Sequence, residues 1–320
     1  MLLTICNVCD FILLSTPRNL ESSEGRKQLI ETNSSRPLTH YLICESDRLR
    51  VAADSVNNSD LTIAFKVKQQ ISEFEWAEHD VEMPSEIEGR KHKIRVDGPV
   101  IFLIASDDQE TWFANTFLFL EFLGSTLGTS DAIAELLKLT VMYVGQTEIT
   151  DAYVRFDGHE KLNKVFSEVV DLRSNREVWI KLLSFQPPIT NAISLPQIES
   201  PYRSDWLPGG GLFENLPADQ LKNAIEGVLI KYFQPILNIQ LKKNFPSDRH
   251  TSYRYFYQHN IRSLVVELHE EFNSYVTGNS TVPYTKIKLI EFALSADGAG
   301  IFLHDNATQD LDELVLKKKI

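Results

Sequence analysis

The stretch "IEGVLIKYFQPILN", residues 225–238, joins the pattern of a buried helix to a glutamate, a proline and an asparagine. Apolar side chains recur at helical spacing from residue 221 to residue 233, which predicts a helix packed on a core. Glu226 lies beside this stripe, where a carboxylate can meet a ligand without complete loss of hydration. Taken alone, a glutamate in such a position is most often an ordinary solvated residue, so its role depends on the rest of the chain.

The segment before this helix has a regular order of elements. "LTVMYVGQT" (139–147) predicts a strand, "GHEKLNKVFSEVVDL" (158–172) predicts a helix, and "VWIKLLSF" (178–185) predicts a second strand. Residues 186–215 are rich in proline and glycine and predict a long insertion before the last helix. The order is therefore strand, helix, strand, helix, with one insertion.

Residues 1–115 predict a β-rich accessory region. Short alternating or β-branched runs, "LTIAFKVKQ", "HKIRVDG" and "PVIFLIAS", predict strands, and "TFLFLEF" just beyond the boundary predicts another. Residues 18–40 are polar and predict a loop, with a short helix at "GRKQLIE" as the alternative. Residues 116–320 then form the second domain, which includes the insertion and a C-terminal extension. The predicted fold class is α+β, a small β-sheet flanked by helices behind the β-rich region.

Composition indicates a globular chain. Of the 320 residues, 43% are hydrophobic and 24% are charged, which is not the composition of a disordered protein. No apolar run approaches the roughly 18 residues that a membrane span requires, so we expect a soluble, cytoplasmic protein without a membrane partner. The net charge of −12 disfavours non-specific binding of polyanions by the whole molecule. Residues 141–260, however, hold thirteen basic and thirteen acidic residues, so this segment repels phosphate least.

Three cysteines, Cys6, Cys9 and Cys44, form an odd count that fits a reducing compartment better than a disulfide framework. Cys6 and Cys9 make a single CxxC pair. A structural zinc site needs a second pair of ligands, and the sequence supplies none at ligand spacing. The pattern favours small apolar residues in an N-terminal strand.

Several motifs together resemble the GIY-YIG nuclease superfamily. "YVGQT" begins at Tyr143 and is followed by Arg155 and His159, which is similar to that family's YIG and Arg-x-x-x-His elements. Glu226 is followed after twelve positions by Asn238, which is similar to its glutamate–proline–asparagine signature. The strand expected to carry the family's first tyrosine is best matched by "TFLFLEFLG" (116–124), which has phenylalanine and leucine instead.

The resemblance implies hydrolysis of phosphodiester bonds in nucleic acid, with DNA as the expected substrate. Glu226 would bind Mg²⁺ (or Mn²⁺), since carboxylate and phosphate oxygens suit these cations. Arg155 would pair with the scissile phosphate, and Tyr143 and His159 would orient or deprotonate the attacking water. Gly145 would allow close backbone approach, and Asn238 would support the site rather than react.

Each candidate also has a purely structural interpretation. Tyr143 suits a tyrosine at the edge of a sheet core, and Arg155 suits a solvated residue at the start of a helix. His159 follows Gly158 where a helical turn would begin, as a capping or surface histidine does. Asn238 follows Pro235 closely enough to shape a turn.

Basic and aromatic residues are interleaved after residue 238, which suits contact with a nucleic-acid strand through phosphates and stacked bases. The basic candidates are Lys242, Lys243, Arg249 and Arg254. A charged turn before a buried aromatic segment explains the same pattern. The second functional hypothesis is a catalytically inactive GIY-YIG-like binding or interaction module, whose acidic N-terminal region meets a protein partner.

Overall fold

The computed structural model describes residues 2–128, 130–147, 175–193, 216–239, 242, 254–258, 261–270, 273–280, 282–293 and 301–304. Within these ranges the fold is a mixture of helices and strands, dominated by a large sheet, and agrees with the α+β class. The predicted helix at 158–172 and most of the insertion, from residue 194 to 215, lie outside the described residues. No helix among the described residues is both long and apolar enough to cross a bilayer.

The helices that the structure describes are α1 (Pro17–Glu21), α2 (Ser23–Ser35), α3 (Thr116–Leu127), α4 (Asp131–Leu136), α5 (Ala218–Phe233) and α6 (Arg254–Gln258). Up to residue 146 the strands are β1 (Leu2–Ser15), β2 (Leu38–Val51), β3 (Asn57–Asn58), β4 (Thr62–Gln70), β5 (Trp76–Pro84), β6 (Glu86–Ile87), β7 (Arg90–Asp97), β8 (Val100–Ala105), β9 (Glu110–Phe113) and β10 (Lys138–Gln146). They continue with β11 (Arg176–Phe185), β12 (Ile189–Ile193), β13 (Ile261–His269), β14 (Val276–Gly278), β15 (Ile287–Ala293) and β16 (Ile301–His304).

The main sheet contains twelve of the described strands in the order β14-β10-β2-β11-β1-β13-β15-β16, with β12 beside β1 and with β4, β3 and β5 attached through β2. It is therefore large, and the prediction of a small sheet is wrong. Most of its pairs are antiparallel, and β1 with β13 and β10 with β14 are parallel. Strands from both sides of the boundary predicted at residue 115 pair within it, for example β2 with β10 and with β11.

A second sheet joins the four strands β6 to β9 in sequence order. Its central hairpin turns at Gly98 and Pro99, with Asp97 paired to Val100. Gly98 has a φ of 60°, and glycine adopts this left-handed conformation without the strain that a side chain would add. The strands predicted from "LTIAFKVKQ", "HKIRVDG" and "PVIFLIAS" are confirmed as β4, β7 and β8.

The stretch "TFLFLEF" forms helix α3, so its prediction as a strand is wrong. Its four consecutive apolar residues, 117–120, fit a helical and an extended period equally well. The Asn115 side chain accepts a hydrogen bond from the Leu118 amide, as an N-cap does, and this starts the helix. The proposed position of the missing first tyrosine is thus helical.

The polar N-terminal segment is mostly helical as well. Thr16 and Ser22 cap α1 and α2, and α2 extends beyond the short helix considered at "GRKQLIE". Cys6 and Cys9 lie buried in β1, which confirms the predicted N-terminal strand. Burial raises the pKa of Cys6 to about 11 and that of Cys44 to about 12, so both thiols stay protonated near neutral pH.

Candidate functional site

Of the predicted site residues, Tyr143 and Gly145 lie on β10 and Glu226 lies on α5. Helix α5 presents the predicted apolar stripe, including Ile225, Val228 and Leu229, to the core on one face of the main sheet. The helix is capped at its C-terminus by Gln234, which has a left-handed conformation, just before Pro235. Proline cannot continue a helix, so the chain turns there and runs back along β10.

Glu226 is half-buried beside this stripe, as predicted from its spacing. Its Oε2 accepts a hydrogen bond of 2.7 Å from the side-chain amide of Gln146 at the end of β10. The same amide nitrogen donates to Oδ1 of Asn223, one helical turn earlier, at 2.8 Å. Because both partners are acceptors, the nitrogen of the Gln146 amide must point at them.

The hydrogen bond from Gln146 affects how a divalent cation could bind at Glu226. A cation would approach the same oxygens that the Gln146 amide group contacts. Among the described residues, no group of three or more His, Cys, Asp or Glu side chains is placed to hold a metal ion. A cation at Glu226 would compete with the Gln146 amide for Oε2, and the binding of Mg²⁺ or Mn²⁺ there stays a prediction.

Tyr143 lies on the opposite face of the sheet. It pairs with Ile43 of β2, and its ring centroid is 5.9 Å from that of Tyr41 in the cluster that includes Leu20 and Leu29 of α1 and α2. Alternate residues of a strand point to opposite faces, so Tyr143 and Gln146, three positions apart, point away from each other. The structure therefore does not bring Tyr143 and Glu226 together.

Gly145 is required by close packing on the Tyr143 face. A Cβ atom at this position would lie 2.6 Å from ring atoms of Tyr41, well inside van der Waals contact. The predicted close approach at Gly145 is thus made by a neighbouring side chain of the core.

Asn238 is buried and acts as a short extension of the sheet. Its Oδ1 accepts from the Val144 amide and its Nδ2 donates to the Val144 carbonyl, both at 2.9 Å. The preceding Leu237 amide donates to the Met142 carbonyl. The chain after α5 therefore satisfies backbone hydrogen-bonding groups of β10 on either side of Tyr143. The role of Asn238 in this structure is structural.

The remaining predicted residues are only partly described. Arg155, His159, Lys243 and Arg249 lie outside the described residues. Lys242 contributes its carbonyl to Lys231 Nζ at 2.9 Å, and partial burial lowers the pKa of its own ammonium group. Arg254 is exposed at the start of α6.

Sequence reasoning missed a buried charged cluster on the core face of the sheet. Lys181 of β11 and Lys288 of β15 both pair with Glu270, and Thr277 donates its backbone amide to Glu270 Oε2 at 2.9 Å. Burial acts to raise the pKa of Glu270, but the two lysines outweigh it and hold that pKa at about 2. A lysine inside the apolar run "VWIKLLSF" was the available signal.

Comparison with known proteins supplies no relative for this arrangement: no protein-family model, no curated protein and no solved structure matches the chain.

Proposed function

We propose that the chain is a non-catalytic binding or interaction module. The observation that carries the proposal is the separation of Tyr143 from Glu226 on two faces of the main sheet. A phosphodiester can react only with groups that converge on one phosphate. A second feature supports the proposal. The side chains of Gln146 and Asn238 form hydrogen bonds within the protein, to Glu226 and to the backbone of β10.

An acidic surface in the N-terminal region suits a protein partner. It consists of the exposed carboxylates from the β4–β5 turn to the β6–β7 turn, which are Glu73, Glu75, Glu78, Asp80, Glu82, Glu86 and Glu88. No lysine or arginine occurs between residues 71 and 89, and among the described residues Lys66 and Lys68 of β4 form ion pairs with Glu78 of this set. Phe74 is 87% exposed at the tip of the hairpin. The acidic surface therefore fits a partner with a basic, partly apolar segment.

The test uses a synthetic peptide that contains lysine and leucine. We expect the full chain to bind this peptide with an affinity that falls as salt rises, because exposed charges are screened. The triple variant Glu78→Lys, Asp80→Lys and Glu82→Lys should lose the binding. Equal binding by wild type and the triple variant would refute the role of the acidic surface.

The matched control changes three exposed carboxylates elsewhere, Glu24, Glu31 and Asp54, to lysine. It alters the net charge of the protein by the same amount. If the control loses as much peptide binding as the first variant, the effect is one of net charge and not of the acidic surface.

A metal-dependent nuclease is the second candidate. The half-buried position of Glu226 on a rigid helix favours it, since such a carboxylate can be held ready for a ligand. The test measures cleavage of plasmid and of short DNA and RNA duplexes in Mg²⁺ and Mn²⁺. Cleavage that Glu226→Ala and Arg155→Ala abolish, and that the exposed-residue control Asp219→Ala retains, would replace the binding module by the nuclease.

A further inference from the structure

A small pocket lies where the main sheet, the second sheet and helix α3 meet. Its walls come from β2, from the β7–β8 turn at Gly98 and Pro99, from the start of α3 and from Glu177 of β11. Its cavity volume is about 100 Å³. This pocket is distinct from the β10 and α5 residues described above and goes beyond the proposed function.

Two arginines give the pocket its chemical character. Arg48 and Arg50 are two positions apart on β2, so their side chains point to the same face of the strand, and both residues line the pocket together with Leu49 and Val51, which point to the other face. Arg50 also lies over the ring of Trp76, with 5.6 Å between its guanidinium carbon and the ring centroid, which holds the side chain in place. Guanidinium groups stay charged at all working pH values and match the oxygens of a phosphate group.

The single carboxylate in the pocket does not neutralise both arginines. Glu177 Oε1 is 4.0 Å from Arg48 Nε, which is the outer limit of an ion pair. Burial raises the pKa of Glu177 to about 7, although Arg48 and Arg50 act to lower it. Other charged groups nearby include Lys68, which pairs in register with Arg50 and contacts Glu78, the exposed Asp97 before the turn, and the ion pair of Asp47 and Arg176, whose members adjoin Arg48 and Glu177.

The start of α3 and the apolar walls complete the pocket. Asn115 and Thr116 line it at the N-terminus of this twelve-residue helix, where the helix dipole adds partial positive charge. The Thr116 hydroxyl accepts a hydrogen bond from the Val51 amide, which fixes the helix end against β2. Val96 and Ile101 provide apolar surface beside the charged groups.

We propose that this pocket binds a phosphate group, with Arg48 and Arg50 as its ligands. The phosphate belongs either to a small phosphomonoester or to the phosphorylated end of a nucleic acid, because the two share the same terminal group. The apolar walls accommodate the organic part next to the phosphate. The ionised form of Glu177 opposes phosphate binding, and protonation of Glu177 removes this competing negative charge.

The experiment measures binding of inorganic phosphate and of adenosine monophosphate to the full chain by calorimetry, at about pH 6 and about pH 8, on either side of the Glu177 pKa. Wild type should bind both probes. Arg50→Ala should weaken binding at least about tenfold, the loss of one strong contact. Arg95→Ala removes an exposed arginine that pairs with Glu110 outside the pocket, and it should bind as wild type does.

The variant Glu177→Gln distinguishes the effect of the Glu177 charge on phosphate binding from other effects of pH. At about pH 8 this variant should bind phosphate more tightly than wild type does at the same pH, because glutamine carries no charge, and the difference should narrow at about pH 6. Far-ultraviolet circular dichroism of each variant checks that it is folded. Millimolar phosphate that does not bind wild type, or that binds Arg50→Ala and wild type equally, would overturn the proposal.

Oligonucleotides with and without a 5′-phosphate identify the source of the phosphate. Binding that requires the 5′-phosphate and is lost in Arg50→Ala supports the pocket with a nucleic-acid end as its ligand. Binding of adenosine monophosphate without binding of either oligonucleotide supports a small phosphomonoester. Oligonucleotide binding that ignores both the 5′-phosphate and Arg50, without binding of the small probes, contradicts it.

Discussion

Lys181 and Glu270 form an ion pair inside the core, where their side chains are only 1% and 0% exposed. Lys288 contacts the other carboxylate oxygen of Glu270 at 3.1 Å, so one carboxylate lies between two ammonium groups. Two lysines against one glutamate leave the cluster with an excess of positive charge. Such a cluster is stable only while Glu270 keeps its charge and its partners.

Glu270→Gln should therefore lower the free energy of unfolding by about 3–5 kcal/mol, because it leaves two ammonium groups buried without a counter-charge. Denaturant unfolding followed by fluorescence measures this loss. The control is Glu110→Gln, which breaks the exposed pair with Arg95 and should change stability by no more than about 1 kcal/mol. A Glu270→Gln protein as stable as the control would show that the cluster tolerates its excess charge.

The buried His40 should lower the free energy of unfolding of the protein in acid. Its ring is fully buried, and Nε2 donates to the Lys222 carbonyl at 3.0 Å while Nδ1 faces the Thr39 hydroxyl at 2.9 Å. Burial lowers the pKa of His40 to about 4, so the folded protein keeps the ring neutral where the unfolded chain already binds a proton. The contribution of His40 is fully present above its unfolded pKa of about 6.5 and falls as the pH drops towards 4, by about 3 kcal/mol.

The measurement compares wild type with His40→Gln across this pH range. Glutamine can still donate to the Lys222 carbonyl but does not titrate. The difference in unfolding free energy between the two proteins should shrink by about 3 kcal/mol from about pH 7 to about pH 4. Other titrating groups, Glu177 among them, act equally on both proteins and cancel. A difference that stays constant with pH would mean that His40 is protonated inside the fold.

Substitutions of the neighbouring residues Ile225 and Glu226 should have different effects on the stability of the protein. Ile225→Ala opens a cavity on the buried stripe of α5 and should cost about 2–5 kcal/mol. Glu226→Ala loses the hydrogen bond from the half-buried Gln146 and gains helix propensity, so we expect a change within about 1 kcal/mol. Thermal melts with and without Mg²⁺ measure both. A Glu226→Ala protein that unfolds as readily as Ile225→Ala would make this glutamate essential to the fold.

The sequence predicted β10, β11 and α5 because each has a regular apolar pattern and clear ends. It failed at "TFLFLEF", where four consecutive apolar residues fit either period and the Asn115 cap is the feature that starts a helix. The candidate site depended on contacts across long stretches of chain. Gln146 and Glu226 are 80 positions apart and Lys181 and Glu270 are 89 apart, so no local pattern could pair them. Motif spacing likewise carries no information about which face of the sheet Tyr143 occupies.

A substitution at Gly145 tests which face of the sheet Tyr143 occupies, because Gly145 packs against Tyr41 on that face. Gly145→Ala places a methyl group where only 2.6 Å separates it from the Tyr41 ring, and a buried ring in a sheet core has little room to move. We expect a loss of about 1–3 kcal/mol in unfolding free energy, as for other overpacked cores.

Tyr41→Leu by itself should lower stability because it removes contacts of the ring. It also shortens the side chain that the added methyl group would meet. The double variant should therefore be more stable than the sum of the two losses predicts, by roughly 1 kcal/mol, the range expected for residues in contact. Denaturant unfolding of all four proteins gives this coupling directly. Strict additivity would mean that position 145 does not pack on Tyr41, and the assignment of Tyr143 and Gly145 to the face opposite Glu226 would lose its support.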